Sequence, residues 1–173
     1  MEKTNPGKYR IIRQVRIYHN IQTTEYHGPK ELQRRFHISK RMIQRDLKDL
    51  RESGMIRLRY DRKTDNYVPD KKEAVFDGTA SGRRLEHLKK LRRLCVLLFE
   101  LTPVDPDALS DYLWAPEYYE KPDIPDLRAE YFSLFPECSD RTRQRDFRTL
   151  TEAGFPIRYD RKWKAYLYEY PSV

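Results

Sequence analysis

Residues 39–56 read SKRMIQRDLKDLRESGMI, and residues 139–156 read SDRTRQRDFRTLTEAGFP. At an offset of 100 the two runs share Ser39/Ser139, Arg41/Arg141, Gln44/Gln144, Arg45/Arg145, Asp46/Asp146, Leu50/Leu150, Glu52/Glu152 and Gly54/Gly154, with Leu47 against Phe147. Past the glycine the offset falls to 99: the run Tyr60 to Lys63 recurs as Tyr159 to Lys162, and Tyr67 as Tyr166. Two copies are too few for a solenoid, so the pattern is that of a duplicated small domain.

Each copy reads as a helix followed by a hairpin. Ser39 is a good N-cap, and Gly54 stands where a glycine ends a helix. Ile43, Leu47 and Leu50 at i, i+4 and i+7 form one apolar stripe. Arg41, Gln44, Arg45 and Lys48 project from the other side. The run MIRLRYD then alternates as a half-buried strand does, RKTDN supplies a turn, and YVP returns. Upstream, Pro29 opens a helix carrying Leu32 and Phe36, and only His37 and Ile38 separate it from Ser39. Before that, YRIIRQVRIYHNI places Ile12, Val15 and Ile17 or Tyr18 on one side of another helix.

The expected fold is therefore mainly α with small β-hairpin wings, as tandem winged helix-turn-helix domains. The first domain is expected at 8–70 and a linker at 71–82. The second is expected at 83–173, with a first helix from Leu85 to Leu101, helices at DLRAEYFSLF and Ser139 to Ala153, and a wing at FPIRYDRKWKAYLYEY. Its insert at 102–125, rich in acid, proline and aromatic residues, should hold one short helix at Asp107 to Trp114. Arg143 stands where the first copy has Ile43, and Thr142 where it has Met42, so the second inner stripe is interrupted.

Charge is sorted along the chain. Residues 1–78 hold 19 Lys and Arg against 11 Asp and Glu, and 79–99 hold six against one. Residues 100–137 hold two against ten, and 138–173 eight against five. With a net charge of +8, this points to nucleic acid as the partner of the first half. A mean hydropathy of −0.94 is low, but 13 tyrosines, seven phenylalanines and two tryptophans supply bulk for folded cores. The longest apolar run, Leu94 to Phe99, cannot cross a bilayer, and no signal peptide opens the chain, so a cytoplasmic, nucleoid-associated protein is expected.

The SKRMIQRDLKDLRESGMI run with its YDRKTDNYVP wing resembles the helix-turn-helix of bacterial DeoR-like and WYL-type transcription regulators. The likeness covers about 60 residues in the first half and about 35 in the second. It implies that the helix from Ser39 to Gly54 enters the DNA major groove, with Lys40, Arg41, Gln44, Arg45 and Lys48 at the bases and phosphates. Arg62 and Lys63 in the wing would touch backbone or minor groove. The ligand-sensing segments of both families have no counterpart here, which favours a repressor.

The residues alone support the same sites. Arg and Gln make bidentate bonds to guanine and adenine edges, and basic side chains neutralise phosphate. Ser39 and free amides at a helix start can hold a phosphate. In the second copy Ser139, Arg141, Gln144, Arg145, Arg148, Arg161, Lys162 and Lys164 form a possible second DNA contact. Asp46 and Asp146 would repel phosphate, so a structural role is expected. Trp163 is expected to pack back on its own sheet. Cys95 and Cys138 lack CxxC spacing, and His19, His27, His37 and His87 lack metal-ligand spacing. No catalytic motif, cofactor site or small-molecule site is evident, so an enzyme is not expected.

The expected function is a sequence-specific double-stranded DNA-binding regulator, dimeric through its C-terminal half. The alternatives are a plasmid or phage replication initiator or partition-type protein, and a protein-interaction module of winged helices. The first copy is expected to read DNA and the second mainly to assemble.

Overall fold

The computed structural model describes residues 6–24, 28–72 and 74–169, and His27 lies outside them. Among the described residues the chain is mainly helical, with two small antiparallel hairpins. The elements are α1 (Pro6–Thr23), α2 (Pro29–Phe36), α3 (Lys40–Glu52), β1 (Leu58–Asp61), β2 (Asn66–Pro69), α4 (Gly82–Glu100), α5 (Pro106–Trp114), α6 (Leu127–Leu134), α7 (Asp140–Glu152), β3 (Ile157–Asp160) and β4 (Ala165–Tyr168). They fall into two compact units, Met1–Val96 and Leu97–Val173. The division lies inside α4, whereas the sequence placed a linker at 71–82. No helix of the described residues is long and apolar enough to cross a membrane.

In the first unit α1, α2 and α3 pack on one another. α1 buries Ile11, Gln14, Val15, Ile17, Tyr18 and Ile21; Val15, Ile17 and Tyr18 are buried as expected, while Ile12 is only half-buried and Ile11 takes its place in the core. Leu32 of α2 and Ile43, Leu47 and Leu50 of α3 complete the core. Each such side chain removed from water contributes about 1.5–3 kcal/mol. The chain turns from α2 to α3 through His37, which adopts a left-handed φ of 51° and donates its N–H to Gln33 O, and Ser39, whose Oγ accepts from Met42 N at 3.3 Å. That hydroxyl satisfies one amide the helix start leaves unpaired. After α3, only Leu58–Asp61 pairs as a strand, with Tyr60 opposite Tyr67; Met55 to Arg57 approach it in irregular backbone with Ile56 buried.

The segment expected as a linker packs against the end of α3. Phe76 bridges to Ser53, and Asp77 N donates to Glu52 O at 2.7 Å. Gly54 makes this possible. Its φ is +72°, and a Cβ there would meet Phe76 N at 2.9 Å and Arg92 Nη1 at 2.8 Å. The first half of α4 also belongs to this unit: Arg84 bonds Asp49 and Glu52, His87 meets Gln14 Oε1 at 2.9 Å, and Arg92 donates to Ser53 O at 3.2 Å.

In the second unit α7 packs on β3 and α6 on β4. The core holds Leu97, Leu98, Leu101, Leu127, Tyr131, Phe147, Leu150, Phe155, Ile157, Leu167 and Tyr168. Tyr168 Oη donates to Leu98 O at 3.0 Å. The insert contains α5, capped by Asp105, whose carboxylate accepts from Asp107 N and Ala108 N. Val104, Leu109 and Leu167 form a small cluster on which Trp163 and Ile124 pack.

Candidate nucleic-acid interface

α3 is two-sided. Ile43, Asp46, Leu47, Asp49 and Leu50 are buried, whereas Ser39, Lys40, Arg41, Gln44, Arg45 and Lys48 are exposed. Arg62 and Lys63 lie exposed in the hairpin turn between β1 and β2. Lys48 Nζ stands 3.6 Å from Glu52 Oε1, and Lys40 Nζ lies 5.4 Å from the ring centre of Tyr60. Tyr60 was not singled out by the sequence reading, although the repeated YDRK run marks it. Arg34 and Arg35 are exposed in the last turn of α2.

The buried face of α3 is held from behind by charge. Asp46 accepts from Arg13 Nε at 2.6 Å and from Gln14 Nε2 at 3.1 Å. Asp49 accepts from Arg10, Gln14 and Arg84, with His87 Nε2 at 3.6 Å. Burial works to raise the Asp49 carboxyl, but His87, Arg10 and Gln14 outweigh it and hold it at about 2. Two carboxylates that would repel DNA are thus turned inward and neutralised, and they fix α3 against α1 and α4. Burial, then Arg35, lowers the pKa of His19.

The second unit repeats the arrangement with different parts. Ser139 Oγ accepts from Thr142 N at 3.2 Å. Ser139, Arg141, Gln144, Arg145 and Arg148 are exposed on α7, and Arg161, Lys162 and Lys164 on the β3–β4 turn. Gln144 Nε2 donates to Asp140 at 2.8 Å. Asp146 is buried and accepts from Tyr131 Oη at 2.9 Å, and Thr149 replaces Asp49 with a hydroxyl donating to Arg145 O. Burial and Asp146 push the Tyr131 phenol up.

Arg143 does not break the stripe. It is buried, with its guanidinium 5.0 Å from the Phe147 ring centre and 4.7 Å from that of Tyr166, and its Nε donates to Asp140 at 3.0 Å. Stacking between two rings lets a planar cation occupy a position an isoleucine fills in the first copy.

Cys95 is buried, and its thiol is pushed well up by burial; Cys138 is half-buried. Among the described residues no group of three or more His, Cys, Asp or Glu is placed to hold a metal ion.

Protein-family models, curated proteins and solved structures give no match to this chain. The interface is therefore read from its own geometry.

Proposed function

We propose that the chain is a sequence-specific double-stranded DNA-binding transcription regulator built from tandem winged helix-turn-helix units, acting as a repressor and binding as a dimer. The observation that carries this reading is the two-sidedness of α3: every buried acid faces the core, and every residue expected at DNA is exposed. Such a helix can lie in a major groove about 12 Å wide. Arg41 and Arg45 suit guanine edges and Gln44 an adenine edge, each good bidentate contact giving about 1–3 kcal/mol of discrimination. Lys40, Lys48, Arg62 and Lys63 suit phosphates, which fix register rather than sequence.

Dimerisation through the second unit is supported by its exposed Trp114 and Tyr118, 83 % and 82 % accessible, since such rings are common anchors of interfaces. A two-fold dimer would bind half-sites about one helical turn, roughly 34–36 Å, apart. A gel-shift titration tests the reading. Arg41→Glu with Arg45→Glu should abolish the shift of a cognate duplex, and unchanged binding contradicts the proposal.

A second reading is favoured by α7. With Arg143 accommodated inside the unit, α7 presents Arg141, Gln144, Arg145 and Arg148 as α3 presents its own set. Both units would then touch DNA, and one chain could cover two sites, as tandem winged-helix replication initiators do on direct repeats. Direct repeats in the preferred site would favour this reading, and inverted repeats the dimeric regulator.

A further inference from the structure

We infer that the second unit carries a cleft for a small planar aromatic anion, an aromatic carboxylate. The cleft, of about 480 Å³, lies between the chain leading into α6 (124–128) and the β3–β4 hairpin. That volume suits a small ligand. Its walls combine the rings of Tyr159, Trp163 and Tyr166 with the cations of Arg128 and Lys164. Its one acid, Asp126, has its carboxylate engaged by the amides of Arg128 and Ala129, as the cap of α6.

The duplication provides an internal comparison. In the first hairpin Tyr60 Oη donates to Asp65 at 2.6 Å, and the neighbouring Thr64 donates to Asp61. In the second hairpin those two positions are Lys164 and Trp163. The backbone is the same, with φ of 49° at Asp65 and 52° at Lys164, and the tyrosines pair alike, at 5.6 Å for Tyr60 with Tyr67 and 5.3 Å for Tyr159 with Tyr166. The exchange therefore keeps the turn and changes its chemistry. An acceptor becomes a cation, the hydroxyl of Tyr159 loses the carboxylate that its counterpart bonds, and an indole face is added.

The third divergent position lies behind the cleft and supports its wall. Arg143, in place of Ile43, stacks on Tyr166 and shares Asp140 with Arg128, at 3.0 and 3.4 Å. One carboxylate thus serves two guanidinium groups, and Arg143 Nη1 is buried without a partner. Aromatic faces alone would suit a cation. Among the residues lining the cleft the cations are Arg128 and Lys164, and the one acid, Asp126, is engaged as a helix cap, so the surplus charge favours an anion, with the flat rings selecting a flat partner.

The test uses the full chain without DNA, so its outcome is independent of the DNA-binding reading. Trp114 and Trp163 are the chain's two tryptophans, and Trp114→Phe leaves Trp163, in the cleft, as the reporter. Benzoate should change Trp163 fluorescence saturably, with a Kd on the order of 1 mM or tighter. Acetate, benzyl alcohol and choline, which lack the ring, the charge and the correct sign respectively, should not. Adding Lys164→Asp should weaken benzoate by roughly tenfold or more. The far-UV spectrum should stay unchanged, because Asp65 already holds that turn in the first copy. No saturable response to benzoate up to roughly 10 mM overturns the inference. So does an equal response to benzyl alcohol or choline, or benzoate binding unaltered by Lys164→Asp.

Discussion

At the scale of single residues, the inner face of α3 depends on two buried carboxylates that the sequence shows only as Asp-x-x-Asp. Asp49 is ionised more readily in the folded chain than its ordinary value of 3.8 would give. The stabilisation it provides is therefore full above about pH 4 and is lost as pH falls from about 4 towards 2. Asp49→Asn should flatten that part of the stability profile of the first unit, followed by urea unfolding at several pH values. An unchanged acid limb would contradict the role given to Asp49. Arg143 makes the opposite case. Its orphaned Nη1 leaves a buried charge incompletely satisfied, so Arg143→Met should be neutral or stabilising by roughly 1–2 kcal/mol, whereas Arg143→Ala should destabilise by leaving a cavity. A loss of stability in the Met variant would show that the guanidinium itself is needed.

At the scale of elements, the matched glycines separate backbone strain from packing. Gly54 and Gly154 both hold positive φ, +72° and +97°, but only Gly54 has atoms within reach of a Cβ. Gly154→Ala should cost about 1–2 kcal/mol for the left-handed backbone alone. Gly54→Ala should cost roughly 2–4 kcal/mol, because Phe76 and Arg92 must also move. Hydrogen exchange of the α3 and α7 amides distinguishes the two, and equal effects would contradict the close approach at Gly54. The helices and hairpins were legible because caps, glycines and apolar spacing are local signals. Ser39, Ser139, Gly54 and Gly154 mark their helix ends as read. The packing of 74–78 against α3, the sharing of α4 between two units and the stacking of Arg143 between rings were not. Each depends on residues far apart in sequence, which no period or cap reports. For the same reason the exposed faces of α3 and α7 could be read residue by residue, while the cleft beside Trp163 could not. Its walls come from an insert and a hairpin more than thirty residues apart.

At the scale of the whole molecule, a basic first half, an acidic insert and a basic end accompany two units that each turn a polar helix face to solvent. If the exposed cations meet phosphates, affinity should fall steeply with salt: six to ten phosphate contacts would lose about 10³–10⁵ in affinity between 50 and 200 mM. A flat salt response in a filter-binding titration would instead favour a protein partner. The central claim, that α3 reads a duplex sequence, is tested most directly by selecting bound DNA from a random double-stranded pool with the full chain and with its Arg41→Glu, Arg45→Glu variant. The account predicts that the full chain enriches a short shared motif and the variant enriches none. A pool left without a motif by the full chain, or the same motif recovered by the variant, would contradict it.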